Sequence, residues 1–327
     1  MTVGAVLVGY AIVLGVVGPA VFARADWPAR APRLAAWVLL AAGWSVLTAL
    51  VLAGLTIALP ATALSGDLSS LLGACVLRLR AAYATPGGAV VAGAGVALTA
   101  ATLLRVGRAV LGVLRERRVE GRRQRLLVAL AGQRVSGVPA TVVDHPVASA
   151  YCLAGRGGIV VITTRAVDLL TGAQLDAVLA HEQAHLSARH HLRIAAAAAA
   201  GAALPALPLL RDLDVNVRRL LEMHADEIAA HEHDPEVLAT ALVAVASAAP
   251  VAALAAAGGD RAMRIRRLLL PPKALPRRRR MLLRAAAVAL TVAPLLLAAA
   301  PAGVAVNQPP LRPPHAGAAL PPGQGHR

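Results

Sequence analysis

Residues 177–191 read AVLAHEQAHLSARHH. Inside this stretch His181-Glu182-Gln183-Ala184-His185 spells H-E-x-x-H, and the fold depends on whether that spelling lies on a buried helix. Thr171 followed by Gln174 has the spacing of a capping box. Leu175, Val178, Leu179 and Leu186 then give an apolar stripe at helical spacing. No helix breaker intervenes before His191, so one helix is expected through this point. His181 and His185 then sit one turn apart on one face.

Two imidazoles so placed can reach one Zn²⁺ at about 2.0–2.1 Å. Glu182, adjacent but offset, is placed to be the catalytic base: zinc draws the pKa of a water towards about 7, and the carboxylate takes its proton as it attacks a peptide carbonyl. The competing reading is a chance H-E-x-x-H on a helix facing water. The apolar turn LDAVLA just before the motif argues for burial.

Catalytic zinc takes three protein ligands and keeps one position open. RRLLEMHADEIAAHEH, residues 218–233, supplies the candidates. Glu222 is the favoured third ligand, on a helical pattern whose apolar side carries Leu213, Val217, Leu220 and Leu221. Asp226, one turn on, can hydrogen-bond the far nitrogen of a ligand histidine. His224 and His231 are rival ligands, and a solvated helix face is the bland alternative. His190 and His191 are read as interfacial cations or a helix end.

Upstream, Ala148–Leu153 and Ile159–Thr163 read as a hairpin joined by Gly155-Arg156-Gly157-Gly158. Its edge could take an extended substrate by strand addition, or it could be an ordinary core hairpin. Spacing alone puts no oxyanion stabiliser near the metal. Arg264 either braces the site or meets lipid headgroups.

The surrounding chain is built for lipid. Charged residues make up 15% of it and hydrophobic ones 57%, against about a quarter charged in soluble domains. Four apolar stretches reach the roughly twenty residues a crossing needs: Val3–Ala23, Leu34 to about Leu59, Gly88–Leu104, and Ala285 to about Val304. Arginine-dense segments, 105–125 and 261–280, flank the part between the third and fourth. The excess of positive charge assigns that part to the cytoplasm and the N-terminus to the outside. The net charge of +16 is therefore assigned to topology, and no direct nucleic-acid binding is expected. Cys75 and Cys152 lie far apart and form no disulfide framework or metal site.

The expected fold is mainly α and integral to the membrane. Residues 1–104 hold three spans, 105–284 a cytoplasmic α+β zincin-like domain, 285–304 the last span, and 305–327 a disordered extracytoplasmic tail rich in proline and glycine. Residues 194–210 are apolar but hold Pro205 and Pro208. A single crossing there would separate His185 from Glu222, so a buried, re-entrant or surface-lying helix is expected.

The order hairpin, AVLAHEQAH, apolar helix, LLEMHAD, basic segment and last span resembles the BlaR/MecR family of integral-membrane zinc metallopeptidases. H-E-x-x-H stands at His181–His185 and E-x-x-A-D at Glu222–Asp226. Both motifs are shared with HtpX/Ste24-type membrane peptidases. The resemblance implies a zinc endopeptidase that answers a signal across the membrane by cleaving a protein such as a transcriptional repressor. Sensor members carry an extracellular penicillin-binding domain after the last span. Here a short tail without S-x-x-K stands in that place, so antibiotic sensing is not implied. The alternatives are an HtpX/Ste24-like quality-control protease and a non-catalytic membrane receptor or scaffold. Glu182 argues against the last, since a vestigial site has no need of a base.

Overall fold

A computed structural model describes residues 2–58, 87–155, 157–248 and 251–306. Of the expected outer loop 65–87 all but Gly87, and of the expected tail 305–327 all but the first two residues, lie outside the described residues.

Helix α1 is Thr2–Ala23, α2 Trp27–Arg30, α3 Pro32–Ala58 and α4 Gly88–Ala131. Strands β1 Gly132–Arg134, β2 Thr141–Val143, β3 Ala150–Leu153 and β4 Ile159–Thr163 follow. Then come α5 Thr164–Leu169, α6 Gly172–Ser187, α7 His190–Ala203, α8 Pro208–Arg211 and α9 Leu213–Glu232. The chain closes with α10 Pro235–Ser247, α11 Val251–Leu269 and α12 Arg277–Val306.

Helices α1, α3, α4 and α12 are long and apolar enough to cross a membrane. At 44 residues α4 is about 66 Å long, roughly twice the hydrocarbon thickness. Its apolar first half continues without a break into the arginine-rich second half and on to the sheet. The boundary expected at 104/105 thus falls inside one helix.

The four strands are ordered β1-β2-β4-β3, with β2 and β4 parallel and the other pairs antiparallel. The alternation of a strand sends Ile162 towards Ala166 and Leu179, and Val161 towards Val128 of α4. The hairpin expected at 148–163 is the β3–β4 pair. Strand β3 stands at the end of the sheet.

One apolar core joins α1 and α3 to α7, α8 and α9, with Leu7, Val46, Ala200, Leu210 and Leu221 all fully buried. Helix α7 has 14 residues, about 21 Å, too short to cross about 30 Å of hydrocarbon. The chain turns back at Leu204–Leu207 and returns in α9. Small residues in the long helices make room for this hairpin: a Cβ on Gly15 would come within 3.1 Å of Leu207, and one on Gly43 within 2.7 Å of Leu213. Since Gly15 is two turns inside α1, the tip of the hairpin reaches well along that helix.

Helix α2 is pinned to the link between α11 and α12. Arg267 Nε donates to Ala29 O at 2.8 Å and Arg30 Nε to Lys273 O at 2.8 Å, while Asp26 pairs with Arg279 at 3.1 Å. The basic segments around residues 24–33 and 261–280 therefore share one face of the molecule.

Candidate active site

The site lies where α6 crosses α9, with α11 behind them. Helix α6 begins as its sequence predicts: Thr171 accepts from Gln174 N, and the Gln174 side chain accepts from Thr171 N. Its buried stripe, Ala177, Val178, Leu179, His181 and Ala184, turns His181 and His185 towards α9. There Leu220, Leu221 and Ala225 are buried, which brings Glu222 and Asp226 to the same place.

Three side chains converge. His181 Nε2 is 3.2 Å from His185 Nε2, and Glu222 sets Oε2 at 3.4 Å from His181 Nε2 and Oε1 at 3.4 Å from His185 Nε2. A tetrahedral zinc with bonds of about 2.0–2.1 Å separates its ligands by roughly 3.3 Å. Two imidazole nitrogens and a carboxylate at these spacings fit that ion in both chemistry and distance. The rival ligands lie elsewhere. His231 turns to Glu227 O at the exposed end of α9, and His224 faces His190.

A second layer holds these groups. Asp226, almost fully buried, sets Oδ1 3.0 Å from His181 Nδ1, at ion-pair distance though off the line of a well-directed hydrogen bond. Arg264 of α11 donates from Nε and Nη2 to the two oxygens of Asp226 and pairs through Nη1 with Glu222 Oε2. Of its two expected roles, the structure gives Arg264 the bracing one. Burial pushes the Glu222 carboxyl up, but the His181 hydrogen bond and the charges of Arg264, His181 and His185 outweigh it and hold its pKa at about 2. Burial likewise presses His181 down, and Asp226 with Glu222 reverses this, raising it to about 9.

Glu182 is half-buried beside the cluster. Desolvation, helped by the charge of Glu222, lifts its pKa to about 7 against the opposing pull of His181, the Cys152 hydrogen bond and Arg264. That suits a group that must accept a proton near neutral pH. Its partner, the Cys152 thiol on β3, is pushed up to about 12 by burial and by Glu182. The edge strand thus runs directly beside Glu182. Tyr151, the neighbour of Cys152, points to the other side of the sheet against Val128 and Val161, away from the site.

Of the two readings for His190 and His191, the structure gives the helix end, since both open α7, and it departs from the interfacial one at His190. The helix expected through His191 ends at Ser187, because Arg189 adopts a left-handed conformation, φ 51° and ψ 43°. The chain then folds back, and His190 is fully buried rather than interfacial. Its Nδ1 lies 3.1 Å from His185 Nδ1, and its Nε2 lies 2.9 Å from His224 Nδ1. Neither contact has a signal in sequence spacing, since both depend on the break at Arg189.

An H-E-x-x-H pair, a carboxylate from a second helix and an adjacent base beside a strand edge are the parts of a metallopeptidase site. Comparison of sequences agrees: residues 114–207 match the model of Peptidase family M48. That segment includes the whole of α6 and supports a metallopeptidase of that family. Neither the curated proteins nor the solved structures gave a match.

Proposed function

We propose that this protein is a membrane-embedded, zinc-dependent endopeptidase. The observation that carries the reading is the His181–His185–Glu222 cluster with its near-tetrahedral spacing and Glu182 at its side. Zinc held there would supply Lewis acidity to a scissile carbonyl and acidify a water. Glu182 would take that water's proton and return it to the leaving amine. Asp226 holds His181 in orientation, and Arg264 restrains both carboxylates. Strand β3 offers main-chain groups to an extended substrate, setting the scissile bond beside Glu182.

The arginine-rich second half of α4 and the basic segments clamped together around α2 and α11 support a cytoplasmic placement of the site, with the N-terminus outside. The α7–α9 hairpin is read as re-entrant, since its tip packs along two helices of membrane length. Within this frame the resemblance to BlaR/MecR supports regulatory cleavage of a cytoplasmic protein such as a repressor. A second reading is quality control of membrane proteins in the HtpX/Ste24 manner. It is favoured by the edge of β3, which would bind main chain and so read little sequence.

The test uses detergent-purified wild type, Glu182→Gln and Glu222→Ala, with zinc by elemental analysis and casein cleavage. Wild type should hold about one zinc. Glu222→Ala should lose it, and Glu182→Gln should keep it without activity. A wild type that takes up no zinc would leave H-E-x-x-H a helix and nothing more. Mapping new protein N-termini in cells with wild type against Glu182→Gln separates the two roles. A single soluble target points to regulation, and many membrane proteins point to quality control.

A further inference from the structure

A groove of about 650 Å³ lies between α3, α9 and α12, away from the candidate metal ligands. One end is ringed by arginines: Arg30, Arg33, Arg280 and Arg284. Arg30 is engaged by Asp26 and two backbone carbonyls. Arg33, Arg280 and Arg284 meet no carboxylate among the described residues. The groove's one acid, Glu227, is already paired with Arg267. The other end is apolar, formed by Trp37 and Ala41 of α3 and by Ala287 and Val288 of α12, both helices of membrane-crossing length.

Positive charge without a counter-charge, at the basic face of two spans, calls for an anion. Arg193 adds to it, standing over the Trp37 ring at 5.2 Å with Nη1 buried and unpartnered. Burial and the nearby Arg33 both hold Arg193 below its ordinary pKa. Like charges crowded in this way are relieved by an anionic ligand. An apolar channel leading from the arginines along the spans asks for a ligand that is also part hydrocarbon.

We propose that this groove binds an anionic membrane lipid, with its phosphate among Arg33, Arg280 and Arg284 and its acyl chains along α3 and α12. His224 lines the same groove and links it to the metal site, in a way that rests on the metal reading. If His185 turns Nε2 to the metal, its Nδ1 carries the proton and donates to His190 Nδ1. His190 then carries its proton on Nε2 and donates to His224 Nδ1. This leaves His224 with N–H at Nε2, a donor at the groove. With His185 Nε2 on a metal, these contacts fix the other tautomers, and His224 adds one more donor for a phosphate.

The experiment reads lipid, not peptidase activity, so it stands or falls apart from the metal reading. Full-length protein is reconstituted in nanodiscs of phosphatidylglycerol and phosphatidylcholine, extracted in detergent, and its retained lipid measured by native mass spectrometry. Wild type should retain phosphatidylglycerol preferentially. Arg280→Gln/Arg284→Gln should cut that preference by about fivefold per arginine. Arg277→Gln/Arg278→Gln removes the same charge from the same helix outside the groove and should leave the preference intact. Ala41→Trp, which fills the apolar end without touching charge, should also lower retention and serves if the arginine variants do not fold. Equal retention of both lipids, or equal loss in the two arginine pairs, would overturn the proposal. So would inorganic phosphate binding the groove as well as the lipid does, with Ala41→Trp unaffected, since the site would then take a free anion.

Discussion

Arg264 grips Asp226 with two prongs, Nε to Oδ2 and Nη2 to Oδ1, both at 2.7 Å. Its third nitrogen, Nη1, stands 2.9 Å from Glu222 Oε2. One guanidinium on α11 therefore fixes both carboxylates of α9 against the histidines of α6. Removing it strands a buried carboxylate, which costs about 3–5 kcal/mol. Arg264→Gln should lower the melting temperature in detergent and reduce the zinc content. Arg264→Lys should not restore either, because a compact ammonium cannot span two carboxylates as the planar fork does. Full rescue by lysine would show that only charge matters here.

Asp226 should make stability depend on pH in the acid range. Burial raises its carboxyl, but the Arg264 and His181 interactions outweigh that and hold it at about 2, against 3.8 for the free side chain. A carboxyl lowered on folding adds stability above its unfolded pKa and loses it as pH falls through the folded value. The contribution is about 2 kcal/mol, full above about pH 5 and gone below about pH 2. The gap in melting temperature between wild type and Asp226→Asn should thus narrow as pH falls from 5 to 2. A gap that holds constant would place the cost of that substitution in shape rather than charge.

His190 backs a candidate metal ligand, through its 3.1 Å contact with His185 Nδ1. Loss of such a partner weakens a metal site by about 10–100-fold. Titration against a chelator should show this for His190→Ala and a smaller loss for His190→Gln, which keeps a polar group in the same volume. His224→Ala, one contact further out, should weaken zinc least. Equal zinc affinity in His190→Ala and wild type would reduce His190 to a packing residue.

Arg189 carries a backbone conformation that a side chain disfavours, at φ 51°, and its side chain is exposed. Arg189→Gly should stabilise the protein by up to about 1 kcal/mol, read as a rise in melting temperature. Arg189→Val should lower it, and should also loosen zinc, because the turn at Arg189 is what brings His190 back onto His185. A Val variant with unchanged stability and zinc affinity would mean the turn is set by other residues.

Much of this protein was legible in its sequence because the deciding signals are local. Apolar runs near twenty residues mark the four long helices, since a helix has a fixed rise per residue. The Thr171–Gln174 box starts α6, and the four-residue spacing of His181 and His185 puts both on one face of it. Glu222 and Asp226 could be singled out because they border the apolar stripe of α9. The sequence alone could not say which of Glu222, His224 or His231 approaches the histidines, because that depends on how α9 is rotated against α6. It could not foresee the break at Arg189, where no glycine or proline marks the turn. The His190–His224 contact, the Arg264 fork and the arginine-ringed groove all join residues far apart in the chain. Spacing cannot predict such contacts: they were decided only when helix packing buried one face of each element and left these side chains to find their partners.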